Sequence, residues 1–167
     1  MKSMYHYLLF ILAILLVLAA IFLPIPQRVA KQLDGLSYVE GEEPVPCTIE
    51  LDGTLYRYLF KNDVYWGRMA LSTDARTSRD GVKVDSGIGR GEIGFMSYLD
   101  DEYFIPGYFV APKDFSWYYA NMTAEDGTHY EIAAPADLTL EEARERAQKQ
   151  LGKDVLLELV PTVSPAE

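Results

Sequence analysis

The 167-residue chain has one cysteine, two histidines and no Lys, Arg, Asp or Glu between Ser3 and Gln27. Each scarcity excludes something. The lone Cys47 forms no intramolecular disulfide, so the fold relies on a packed core. His129 is the one histidine beyond the apolar N-terminus, too few soft ligands for a zinc site, and no metal or cofactor is expected. Bases are also short: 15 Lys and Arg stand against 25 Asp and Glu, a net charge of −10. An acidic surface matches a phosphate backbone poorly, so nucleic acid is not an expected partner. Hydrophobic residues at 49% and charged residues at 24% exclude a disordered chain.

What the N-terminus does have is an apolar run over residues 8–23. At 1.5 Å per residue in a helix it approaches the roughly 30 Å hydrocarbon core of a bilayer. Pro24 and Pro26 remove backbone donors, so the helix is expected to stop where the apolar run stops. A cleaved leader would need small residues flanking the scission site. Leu18-Ala19-Ala20 and Arg28-Val29-Ala30 each lack one, which favours a retained signal-anchor over residues 1–26, in contact with membrane lipid through residues 8–23. Lys2 and the α-amine are balanced by Arg28 and Lys31, so charge does not set the orientation. The short N-terminal tail favours export of the chain beyond the apolar run, giving a single-pass cell-membrane protein whose C-terminal domain is extracytoplasmic.

Residues 27–46 contain Gly35, Gly41, Pro44 and Pro46 without a sustained period and read as a stalk or linker. A β-rich domain is expected over residues 47–160, with a flexible tail over 161–167. Residues 47–51 form a strand candidate ended by Asp52-Gly53, a hairpin dipeptide. Residues 54–60 then alternate, with Tyr56, Tyr58 and Phe60 on one face, and residues 64–71 come next, beyond a turn at 61–63. Residues 72–91 are polar and turn-rich. Strand character resumes over 92–99, 103–105 and 108–111, where Pro106 argues against a continuous central strand. Residues 115–122 and 129–133 form a hairpin around Glu125-Asp126-Gly127. One amphipathic helix, residues 140–151, starts with a Thr139/Glu142 capping box and stops at Gly152, and residues 155–160 read as a final strand. The fold class is therefore α+β: a mainly antiparallel β-meander sheet with one C-terminal amphipathic helix packed on it and a final strand, after a single N-terminal transmembrane helix.

Chemistry-bearing patterns are weak. Residues 89–94 spell Gly-x-Gly-x-x-Gly, but no strand-then-helix context accompanies them, so a turn is the better reading. Cys47 and His129 supply the residue types of a thiolate–imidazole pair, although nothing in the sequence brings them together. Asp100-Asp101-Glu102 lacks calcium-loop spacing and reads as a solvated turn, even with Asp74, Asp80 and Asp85 as completing acids. Asn121-Met122-Thr123 is a glycosylation sequon whose use depends on a eukaryotic secretory route.

The aromatic residues are more informative: 12 Tyr, 7 Phe and 2 Trp concentrate in the strands. Tyr56, Tyr58, Trp66, Trp117, Tyr118 and Tyr119 are candidate binding residues, since rigid aromatic faces stack on sugars and anchor protein partners. The competing role is filling the core of a small sheet. In plan, though not in any motif, the chain resembles small N-terminally anchored cell-envelope proteins. The expected function is a membrane-anchored, extracytoplasmic binding or interaction domain for an envelope protein or polysaccharide, without an evident catalytic site. The alternatives are a small envelope hydrolase using Cys47/His129 or the acidic cluster, and a structural subunit of a membrane assembly.

Overall fold

Alternating side chains and short turns produce, among the described residues, eight strands: β1 (Ile25–Val39), β2 (Val45–Arg57), β3 (Asp63–Leu71), β4 (Val84–Ile88), β5 (Gly94–Tyr98), β6 (Phe104–Val110), β7 (Tyr118–Thr123) and β8 (His129–Ala134). Two helices flank them, α1 (Lys2–Phe22) and α2 (Leu140–Leu151), and a 3-10 turn spans Ala75–Ser78. The structure, a computed structural model, describes residues 2–60, 63–78, 84–88, 94–98 and 104–151. All described pairings are antiparallel, in the order β4-β3-β2-β1-β8-β7-β6-β5. Every strand neighbours its sequence neighbour within each half, and β8 returns to β1. The outermost strands, β4 and β5, lie close to each other, so the sheet curls towards a barrel with an inside and an outside.

Period two then sorts the side chains. Cys47, Ile49, Leu51 and Leu55 of β2, Tyr65 and Met69 of β3, Tyr118 and Met122 of β7, and Tyr130 and Ile132 of β8 fill the inside. On the outside, Tyr108, Val110, Tyr119 and Ala133 form a second apolar cluster beneath Ala143, Ala147 and Leu151 of α2. Covering both faces of β6–β8 lets these strands carry apolar residues at consecutive positions. The helix itself is as expected. The Thr139 amide donates to Glu142 Oε2 at 3.1 Å and the Glu142 amide to Thr139 Oγ1 at 3.3 Å, the reciprocal capping box. The Gln150 side chain donates to Ala111 O at 3.0 Å, fastening the last turn of the helix to the end of β6.

Three local expectations are corrected. Residues 27–46 are not a stalk: β1 begins at Ile25 and pairs with β2 from Ile25↔Arg57 to Ser37↔Val45, and the turn between the strands lies at residues 40–44. Asp52-Gly53 does not turn the chain. Gly53 continues β2, facing Val29 on one side and Gly67 on the other. The two glycines let the strands approach where the buried Tyr65 ring lies along them, its hydroxyl donating to Arg68 O at 2.7 Å. A Cβ on Gly53 would meet Trp66 O at 2.6 Å and Tyr65 Oη at 2.8 Å. Finally, β6 runs through Pro106, which the sheet tolerates because the β5–β6 register shifts between Met96 and Tyr98 and pairing with β7 begins only at Gly107. The proposed strand at 155–160 and the tail at 161–167 lie outside the described residues.

Helix α1 is continuous with the domain, only Leu23 and Pro24 separating it from β1. Among the described residues no helix is long and apolar enough to cross a membrane. Side chains are described in α1 for residues 4–18, 21 and 22, and those of Leu8, Leu9, Phe10, Ile11, Leu12, Leu15, Leu16 and Val17 are all exposed.

Replacing Gly53 by alanine forces its Cβ against the Trp66 carbonyl and the Tyr65 hydroxyl. Thermal melts of the detergent-solubilised full chain should show Gly53→Ala destabilised by roughly 1–3 kcal/mol, the usual range for overpacking; an unchanged melting temperature would refute the close approach.

Candidate functional site

The six aromatic candidates divide among three environments. Tyr118 points inside, fully buried, stacked 5.5 Å from Phe109 with its hydroxyl 3.3 Å from Met69 Sδ. Tyr119 and the half-buried Trp117 belong to the outer cluster beneath α2. Tyr56 and Trp66 share a different outward surface: Tyr56 pairs with Val64, two residues from Trp66, and Trp66 remains 42% exposed. Tyr58 lies just past β2, half-buried, its amide donating to Asp63 Oδ1 at 3.0 Å. Packing therefore occupies Tyr118 and Tyr119, and the six do not form one row.

A cleft instead forms where the N-terminal turn of α2 stands beside β8 and the end of β1. It holds about 450 Å³ and is lined by Tyr38, Asn121, His129, Glu131, Leu140 and Arg144, among others. Strand alternation places Asn121, His129 and Glu131 on one outward stripe, with Asn121 and Glu131 directly paired. The Arg144 guanidinium grips Glu131 with two bonds, Nε to Oε1 at 3.0 Å and Nη2 to Oε2, while Tyr119 donates its hydroxyl to Oε1. Burial first, and then the Glu131 hydrogen bond, push the Tyr119 phenol far above its usual range, so it is a fixed donor. The same carboxylate raises Arg144. Sequence reasoning named Tyr119 and His129 here, and Asn121 only as a glycosylation sequon, but missed Tyr38, Glu131 and Arg144. A signal existed in Glu131, an acid inside the otherwise apolar run Tyr130-Glu131-Ile132-Ala133-Ala134, with Arg144 one turn beyond the helix start.

The end of the barrel near this cleft is closed by the 3-10 turn. Thr77 Oγ1 accepts the Leu71 amide at 2.8 Å and donates to Asp74 O at 2.7 Å. Arg76 binds the buried Asp74 carboxylate, Nη2 to Oδ2 at 2.6 Å, and reaches Thr123 O on β7 at 2.8 Å. The Tyr130 hydroxyl donates to Asp74 Oδ2 at 3.3 Å. Burial pushes Asp74 up, but the hydrogen bonds and charge of Arg76 outweigh it and hold the carboxyl below 3.8. The opposite end carries a second buried acid, Asp63, whose Oδ2 lies 2.9 Å from Lys113 Nζ and 3.7 Å from Arg57 Nε. The Lys113 approach is an ion pair without hydrogen-bond alignment.

Cys47 and His129 are not brought together. Cys47 is 2% exposed on the inside, its sulfur 3.4 Å from Thr73 Oγ1. His129 is exposed on the outside, Nδ1 3.1 Å from Thr123 Oγ1. The sheet wall stands between them, so no shared cleft admits a substrate to both. Asp80 and residues 100–102 lie outside the described residues, as do residues 89–93 of the glycine motif, while Gly94 opens a strand rather than a helix. Among the described residues no three His, Cys, Asp or Glu side chains gather to hold a metal. No protein-family model matches the chain, and no curated protein or solved structure matches it either.

The Asp74–Arg76 latch carries a pH signature. A carboxyl whose folded pKa is depressed contributes stability above its unfolded value of 3.8 and loses it as pH falls through the lower folded value. Asp74→Asn should cost about 1–3 kcal/mol at neutral pH by removing the counter-charge of Arg76, which keeps its bond to Thr123 O. It should also flatten the loss of stability below 3.8, both read from unfolding curves at stepped pH.

Proposed function

We propose that the chain is a membrane-tethered, extracytoplasmic binding domain, held in the bilayer by residues 8–23 and taking an envelope polysaccharide in the cleft between α2 and β8. The observation that carries this reading is the composition of the cleft. Sugar hydroxyls donate and accept at once, and the cleft offers both functions side by side: a carboxylate and amide oxygen as acceptors, guanidinium, amide and imidazole nitrogens as donors. Tyr38 adds an aromatic ring for the apolar face of a pyranose. Its size falls within the roughly 300–1,000 Å³ of small-molecule sites, and Glu131 is pre-oriented by Arg144 and Tyr119, so little ordering remains on binding.

Support for the tether comes from α1 itself, a 21-residue helix whose described apolar side chains from Leu8 to Leu18 are exposed. A helix whose described side chains are mostly apolar needs an apolar surrounding, and its apolar run over residues 8–23 extends about 24 Å at 1.5 Å per residue. Anchorage explains what a freely dissolved chain would not: why such a surface persists uncovered beside a well-packed barrel.

Calorimetric titration of the detergent-solubilised chain with envelope oligosaccharides should show binding that falls tenfold or more in Asn121→Ala and Tyr38→Ala. Trp66→Ala, on the other wall, should bind normally. Equal affinity in all three variants would remove the cleft as the site. Protease cleavage of a C-terminal tag in intact cells tests the side of the membrane.

A further inference from the structure

Strand register places the β2–β3 turn beside the point where α1 meets the sheet. Ile25 pairs with Arg57, so α1 enters β1 three residues after Phe22 at the level where β2 leaves for the turn. Adjacent strands are about 4.8 Å apart. Two residues beyond Arg57, Leu59 is 62% exposed and Phe60 75% exposed, while Leu23 and Ile25 are exposed where the chain enters the neighbouring strand. Consecutive exposed Leu and Phe, with Leu23 and Ile25 beside them, make this end apolar. Behind this tip stand Tyr56 and Tyr58, both half-buried, with Trp66 further along the same wall.

Charge is distributed along the same axis. Near the tip, Arg57 and Lys113, each about half exposed, share the buried Asp63, and with the exposed Asp114 beside Lys113 the two bases and two acids balance. At the opposite end the β1–β2 and β7–β8 turns expose Glu40, Glu42, Glu43, Glu125 and Asp126. Anionic headgroups repel the acidic second end and tolerate the balanced first end. The order of apolar tip, amphipathic aromatics and bases is that of a bilayer interface read outwards from the hydrocarbon.

We propose that the β2–β3 turn is a membrane-docking loop: Leu59 and Phe60 enter the interfacial layer of the bilayer that holds α1, seating the barrel directly on the lipid with its acidic end and its cleft outward. This rests on the anchoring of α1 proposed above. The occupant is lipid rather than a protein because the patch is continuous with the apolar helix, through Leu23 and Ile25, and so meets whatever surrounds that helix.

The test uses the full chain with Cys47→Ser, reconstituted into phosphatidylcholine–phosphatidylglycerol vesicles and carrying a single environment-sensitive fluorophore on Phe60→Cys or, as control, Asp126→Cys. Lipids bearing a quencher at the headgroup–acyl boundary should remove most of the emission at position 60 and leave position 126 unchanged. Flotation reports the anchor separately. A chain that floats with position 60 unquenched overturns the docking loop alone, and a chain that fails to float overturns the anchor and the docking together. Position 60 blue-shifted but unquenched means a protein or second copy covers the patch, which also overturns it. Should the position-60 variant misfold, Trp66 emission in Trp117→Phe gives the same readout, and its quenching should drop at least twofold when Leu59 and Phe60 are both changed to serine.

Discussion

Residues 36–39 of β1 pair with residues 130–133 of β8, and this short ladder joins two four-strand halves into one curled sheet. Without it β1–β4 and β5–β8 would be two flat meanders, each with an unpaired edge and one face too apolar for water. With it the inner faces meet. The join is close: a Cβ on Gly35 would lie 2.8 Å from the Ala134 side chain, so only a residue without one admits β8 at this height. Small residues, Ala133 and Ala134, stand opposite. The large inner residues gather beyond them, and Tyr65 meets Phe115 edge-on with centroids 5.6 Å apart.

Closure explains the fate of the aromatic residues. In an open sheet one of the two faces carrying Trp117, Tyr118 and Tyr119 would be left for a ligand. Curling buries Tyr118 inside, and α2 covers the outer face, so Tyr118 and Tyr119 become core on opposite sides with Trp117 half-buried against the outer one. Where α2 ends its coverage, at its N-terminal turn, the outer face of β8 opens into the cleft. Arg144 stands at that boundary and uses Glu131 as its counter-charge, with Tyr119 tying the pair to the outer cluster. Phe115 accepts a backbone φ of 49°, an uncommon conformation for a bulky residue, in order to reach the interior from the β6–β7 connection.

Long strands also give the molecule a vertical axis. From Ile25 to Tyr38 β1 runs roughly 40 Å at about 3.3 Å per residue. The apolar helix and the Leu59-Phe60 tip share the lower end; the closed, acidic end and the cleft share the upper. A rigid ladder of main-chain hydrogen bonds thus occupies the segment where a flexible linker was expected.

Signals that act within a few residues were legible from the sequence: the capping box and apolar stripe of α2, the Glu125-Asp126-Gly127 turn, the alternation of β3, and the run of apolar residues in α1. These depend on local hydrogen bonds and side-chain periodicity, which a short window contains. Gly53, Pro106 and residues 27–46 misled because their meaning depends on strands far away. Gly53 is a close-approach site only because Gly67 and Tyr65 face it, Pro106 is harmless only because β5 shifts register there, and the lower part of β1 keeps polar residues because β8 pairs with residues 36–39 alone. The cleft is of the same kind. Tyr38, Asn121, Glu131 and Arg144 lie on four elements that no period relates, and only the curl of the sheet and the docking of α2 bring their side chains to one place. Composition and local pattern determined that there would be strands, a capped helix and an apolar N-terminus. Tertiary structure decided which glycines turn, which aromatics are buried and where a cleft opens, because those outcomes depend on contacts between distant residues that exist only once the sheet has closed.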